Sequence, residues 1–200
     1  MALEAIDKTR EWYWADPERH REGRLDLGAA RREIVRMSLI EVGVDSSTLA
    51  GKIAEKYTRE RDIGIQPFPD AIETVRWLRD CGCRLALLTN GSGAAQRAKI
   101  SRFGLNALFD SVLIEGEMGF GKPDHRIYAL ALQELMVAAA DAWMVGDNLE
   151  WDVAQPQRMR LFGIWVDAQG AGLPETAIVR PDRIVRTLSE LRQPGQDPAS

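Results

Sequence analysis

The stretch Ala142-Trp143-Met144-Val145-Gly146-Asp147-Asn148-Leu149-Glu150-Trp151-Asp152 decides how this chain is read. Its first four residues are an apolar run of strand length, bounded by a glycine. Two carboxylates, Asp147 and Asp152, then stand five positions apart around a tight turn. Carboxylates so placed suit a hard cation that takes oxygen ligands. They equally suit a helix start, where the macrodipole favours negative charge.

Two earlier stretches have the same setting. Leu85-Ala86-Leu87-Leu88 is another short apolar run, and Thr89-Asn90-Gly91-Ser92 follows it. The Thr89 hydroxyl and the next backbone N–H groups can hold phosphate oxygens at a helix N-terminus. The same four residues also read as an ordinary strand-to-helix turn, with Asn90-Gly91 tolerating positive φ and Ser92 as cap. Gly121-Lys122-Pro123-Asp124 opens a further helix, after a loop with glycines at 116, 119 and 121. Lys122 reads either as a surface lysine or as an ammonium folded over a ligand. A hydroxyl, an ammonium and two carboxylates, each at the mouth of a strand–helix unit, suit a phosphate and a divalent cation.

The chain around these segments alternates. Helix 70–80 leads to strand 84–89, and helix 94–103 is closed by Gly104. Strand 111–114, a glycine-rich loop, helix 124–135, strand 142–145, a short helix at 149–155 and strand 161–166 follow. A last helix is expected near 184–191. Strands alternating with helices give an α/β fold, a Rossmann-like parallel sheet flanked by helices, whose ligands bind at the carboxyl ends of the strands. Residues 1–66 read as helix only. One segment runs to Trp12-Tyr13-Trp14, a second starts at Asp16-Pro17 and extends to Gly43, and a third, capped by Asp45 or Ser46, runs from Leu49 to Arg61. Ile63-Gly64-Ile65-Gln66-Pro67-Phe68-Pro69 marks the boundary between the two regions. Residues 193–200 read as a disordered tail. Trp143 and Trp165, on strands, are expected in the core, and the aromatics at 12–14 are expected to pack the helical region.

A net charge of -4 and a pI near 5.4 give no reason to expect a nucleic-acid or anionic-membrane partner. Cys81 and Cys83 are too close for an easy disulfide and too few for a zinc site, and read as free, partly buried thiols of a reducing compartment. The N-terminus lacks a signal-peptide pattern, and no apolar stretch has the length of a membrane span. A cytoplasmic protein is expected. His20 and His125 read as surface residues.

Taken together, Leu87-Leu88-Thr89-Asn90-Gly91-Ser92, Gly121-Lys122-Pro123-Asp124-His125-Arg126-Ile127-Tyr128 and Gly146-Asp147-Asn148-Leu149-Glu150-Trp151-Asp152 resemble, in order and spacing, the second, third and fourth motifs of the haloacid dehalogenase superfamily. The likeness is strong from 67 to 191 and loose over 1–66, which would be the helical cap. It implies a phosphatase in which an aspartate attacks phosphorus, forms an aspartyl-phosphate and is released by water. Thr89 and Lys122 would be catalytic. Thr89, Asn90, Gly91 and Lys122 would bind the phosphate, and Asp147 with Asp152 would hold Mg²⁺. The substrate would be a small phosphorylated metabolite. Gly146-Asp147 favours a phosphatase over a haloacid dehalogenase, because the dehalogenases resemble one another in having serine and asparagine there.

The first motif of that family, a strand ending in Asp-x-Asp, has no counterpart in these 200 residues. The expectation is a truncated enzyme that lacks its central first strand. The alternative is a non-catalytic binding or interaction protein on the same core. The missing strand would lie between strands 84–89 and 142–145, so these two should not pair directly, and self-association through the exposed edges is expected.

Overall fold

The computed structural model describes residues 2–192, so the expected disorder of 193–200 lies outside the described residues. The chain divides into two compact units. One holds residues 1–66 together with 90–93, the other 67–89 and the residues from 94 onward.

The first unit is helical: α1 (Ala2–Ala15), α2 (Pro17–Leu25), α3 (Leu27–Glu41) and α4 (Ser47–Gly64). Asp16, Asp26 and Ser46 each cap the following helix, accepting from the N–H three residues on. The cap at Asp26 corrects the expectation of one continuous segment from Asp16-Pro17 to Gly43, because it starts a new helix after Leu25. Small side chains line the packed faces, with Ala5, Ala30, Ala50 and Ala54 buried beside Ile34. Of the aromatic trio, Trp12 stays exposed, with the Arg19 guanidinium 3.8 Å from its ring centroid.

The second unit runs α5 (Ala71–Asp80), β1 (Ala86–Thr89), α6 (Gly93–Arg102), β2 (Ser111–Ile114), α7 (Glu115–Met118), α8 (His125–Leu135), β3 (Trp143–Gly146), a π-helical turn at Leu149–Ala154, α9 (Gln155–Arg158), β4 (Phe162–Val166) and β5 (Arg183–Val185). Gly93 opens α6 in sequence but falls with the first unit. The strands form two parallel ladders, β1–β2 and β3–β4–β5. Among the described residues β1 and β3 share no ladder, as expected.

Burial differs from strand to strand. Parallel strands are normally covered on both faces, the inner ones most of all. Here β1 is half-buried along its whole length and Trp143 of β3 is 52% exposed, whereas β2 and β4 are mainly buried. Trp143 is therefore not the core residue expected of a strand tryptophan. A single cluster spans the break: Leu113, Ile127, Tyr128 and Ala131 are buried, and Ala86 and Leu88 of β1 and Met144 of β3 pack against it. The apolar face of α8 thus ties the two ladders together.

Two further expectations are corrected. The segment near 184–191 holds no α-helix. The β-branched pair Ile184-Val185 extends the sheet beside Trp165-Val166, and only a 3₁₀ turn at Leu188–Arg192 follows. Asp182 sets this register, since its carboxylate accepts from the Gly163 N–H and its own N–H donates to the Gly163 carbonyl. Cys81 and Cys83 are free, as read, but exposed rather than partly buried, because Gly82 at φ 85° turns the chain out between α5 and β1.

Candidate active site

β3 ends at Gly146, in register with Trp165 of β4. The chain then folds into a tight turn. The Asn148 side-chain oxygen accepts from the N–H groups of Glu150 (3.1 Å) and Trp151 (2.9 Å), capping the π-helical turn. Asp152 closes back on it: Oδ2 accepts from the Asn148 N–H at 3.0 Å, and the Asp152 N–H donates to the Asn148 carbonyl at 2.7 Å. Gly146 makes room for this. A Cβ at 146 would lie 2.8 Å from Asp152 Cβ and closer still to its carboxyl group, so the glycine answers to a close approach rather than to an unusual φ.

Lys122 reaches the same turn from the loop after α7, across a cis Lys122–Pro123 peptide. Its Nζ donates to Asp152 Oδ1 at 2.6 Å, with the carboxylate side chain 2% exposed and the lysine 14%. Both oxygens of Asp152 are therefore engaged, one by Lys122 and one by the Asn148 N–H. Asp147 differs: it is exposed, and among the described residues its carboxylate makes no hydrogen bond or ion pair. The two carboxylates read together from the sequence thus have separate surroundings.

Thr89 is the last residue of β1, opposite Ile114 of β2. Asn90 and Gly91 follow directly, Gly91 at φ 115°, and count with the first unit. The structure joins Lys122, Asn148 and Asp152 into one hydrogen-bonded group next to Asp147, and Thr89 ends the other ladder. His125 is exposed and points to no chemistry, as read. His20 is half-buried, edge-on to Trp14.

Other side chains support the turn. The Tyr128 hydroxyl, 1% exposed on α8, donates to the Trp151 carbonyl. Burial pushes its ionisation well above the ordinary tyrosine range, and the negative charges of Asp152 and Glu150 add to this, so it remains a donor. Trp165 donates from Nε1 to the Asp147 carbonyl at 2.9 Å. Asp124 caps α8 by accepting from the Arg126 N–H. The Arg126 guanidinium, 2.6 Å away, and that backbone bond hold its carboxyl down at about 2. The Asn148 cap was visible in sequence as an asparagine before a helical turn. Nothing in the sequence marks the hydroxyl partner of Tyr128 or the indole partner of Trp165.

Mg²⁺ is commonly held by one or two carboxylates, with waters and substrate phosphate completing the shell. The exposed, unpartnered carboxylate of Asp147 fits that mode. Among the described residues no group of three or more His, Cys, Asp or Glu side chains could form an all-protein metal cage.

A sequence model of haloacid dehalogenase-like hydrolases matches residues 3–156. A phosphoserine phosphatase from Thermus thermophilus is 39% identical over 82% of this chain, which spans 64% of that protein's length. A glyceraldehyde 3-phosphate phosphatase from Methanopyrus kandleri is 30% identical over 64% of this chain and 58% of its own length. Among solved structures, the HAD-hydrolase YfnB from Bacillus subtilis bound to magnesium superposes with a TM-score of 0.74 at 20% identity, over 95% of this chain and 80% of that one. A 2-haloacid dehalogenase from Pseudomonas syringae gives 0.62 at 26% identity, over 95% and 79%. No helix among the described residues is long and apolar enough to cross a membrane.

Proposed function

The chain belongs to the haloacid dehalogenase-like hydrolases, and on that premise we propose that its site serves Mg²⁺-dependent hydrolysis of a small phosphorylated metabolite through an aspartyl-phosphate. The observation that carries the proposal is the contrast between Asp147, an exposed carboxylate with no partner among the described residues, and Asp152, whose oxygens are both engaged. Mg²⁺ would be held by Asp147 and would offset charge on the transferring phosphoryl group. Lys122, anchored by Asp152, would place its ammonium against phosphate oxygens. Thr89 would bind the others. Asp152 then acts through Lys122 rather than as a direct metal ligand. The phosphatase relatives support a phosphomonoester substrate, and the free, exposed thiols Cys81 and Cys83 fit a reducing, cytoplasmic setting.

These 200 residues contain no Asp-x-Asp pair, so the groups present bind and polarise a phosphate without supplying the attacking carboxylate. The second reading is a non-catalytic binding or interaction protein on the same core. One experiment separates them. The 200 residues alone and the same chain preceded by a strand ending in Asp-x-Asp-x-Thr are assayed on p-nitrophenyl phosphate with and without Mg²⁺. The enzyme reading expects Mg²⁺-dependent release from the extended form only, at least about a thousandfold above the shorter one, since catalytic groups act as a unit. No release from either form supports the second reading.

A further inference from the structure

The turn from Gly146 to Asp152 is held by bonds of its own and by side chains from elsewhere in the same unit. Lys122 reaches Asp152 and Tyr128 reaches Trp151, whereas the Asn148 and Asp152 bonds stay within the turn. Only one side chain among the described residues bonds Asp147 itself: Trp165, whose indole N–H meets the Asp147 carbonyl at 2.9 Å. Trp165 is 8% exposed, pairs in register with Gly146 and sends its ring one residue beyond that partner. A tryptophan that only filled space could satisfy its N–H on any acceptor. Here the acceptor belongs to the residue whose carboxylate is free.

We infer that Trp165 is a positioning residue for Asp147. The indole N–H holds the carbonyl of residue 147 and so restrains the Cα that carries the free carboxylate. The metal part of this inference rests on the phosphatase reading; the pinning does not. A freely rotating 147 peptide would carry its carboxylate through many orientations, and restraining it removes that entropy before an ion binds. The indole is rigid, with two χ angles, and its bond to the Asp147 carbonyl is part-buried, so losing it removes a net hydrogen bond from the turn.

The test uses the 200-residue chain in three forms: unaltered, Trp165→Phe, and with benzothienylalanine at 165, which keeps the shape of the indole and removes its N–H. Hydrogen–deuterium exchange is followed by mass spectrometry. The peptide covering 146–152 should exchange about three- to tenfold faster in both altered forms, the value of one net hydrogen bond. The peptide covering β2 should be unchanged, and the benzothienyl form should melt close to the unaltered one. Unaltered exchange at 146–152 in the benzothienyl form overturns the inference. So does acceleration spread evenly over β2, β4 and α8, which marks a purely structural role. Mn²⁺ binding, read by electron paramagnetic resonance on the same samples, should weaken by a similar factor. If the unaltered chain binds no Mn²⁺ while the exchange pattern holds, the metal reading fails and the positioning stands.

Discussion

The Lys122 ammonium lies 2.6 Å from Asp152 Oδ1, in a pair whose carboxylate is 2% exposed. Burying one charge without the other is costly, whereas replacing both by uncharged groups is often tolerated. Asp152→Ala should therefore destabilise the chain by about 3 kcal/mol. Lys122→Met combined with Asp152→Asn should cost clearly less. Urea unfolding of the three forms measures this, and equal losses in both variants would show that the pair is not coupled.

Asp124 supplies a pH dependence. Its carboxyl sits at about 2 when folded, below the ordinary 3.8, because Arg126 bonds the ionised form. A lowered folded value means that the unfolded chain takes up the proton first. The stabilisation is thus complete above about pH 5 and drains away as pH falls toward 2. The group is partly exposed, so screening reduces the effect to about 1 kcal/mol. Melting of the native chain against Asp124→Asn from pH 6 to pH 2.5 should show the gap closing on acidification. A gap that widens at low pH contradicts the assignment.

β1 and β3 stand in separate ladders, and a strand edge left unpaired can recruit another strand. Sedimentation velocity of the 200-residue chain should show larger species growing with concentration. A monodisperse monomer over a hundredfold concentration range would contradict this.

How much of this was legible before the structure depends on the element. The run Ser111–Ile114 was read to the residue, because a short apolar stretch between turn signals has few alternatives. Ile184 and Val185 read as the start of a helix, because so short a run carries no period and only the ladder with β4 makes it a strand. The break at Asp26 is hidden in the sequence, because the apolar spacing of α3 does not mark where that helix starts. In the site, residue types were legible and partnerships were not. Asp147 and Asp152 look alike in sequence. Their difference arises when Gly146 lets the Asp152 side chain pack against β3 and Lys122 arrives from thirty residues away.

A Mg²⁺ titration separates the roles of Asp147 and Asp152. In the form carrying an added Asp-x-Asp strand, phosphate release is measured against Mg²⁺ concentration for Asp147→Asn and Asp152→Asn. Asp147→Asn should raise the Mg²⁺ required for half-maximal rate by at least about tenfold, or about 1.4 kcal/mol of binding. Asp152→Asn should leave that requirement near its original value and lower the rate at saturating Mg²⁺. The reverse pattern, a shifted Mg²⁺ requirement in Asp152→Asn and none in Asp147→Asn, would contradict it.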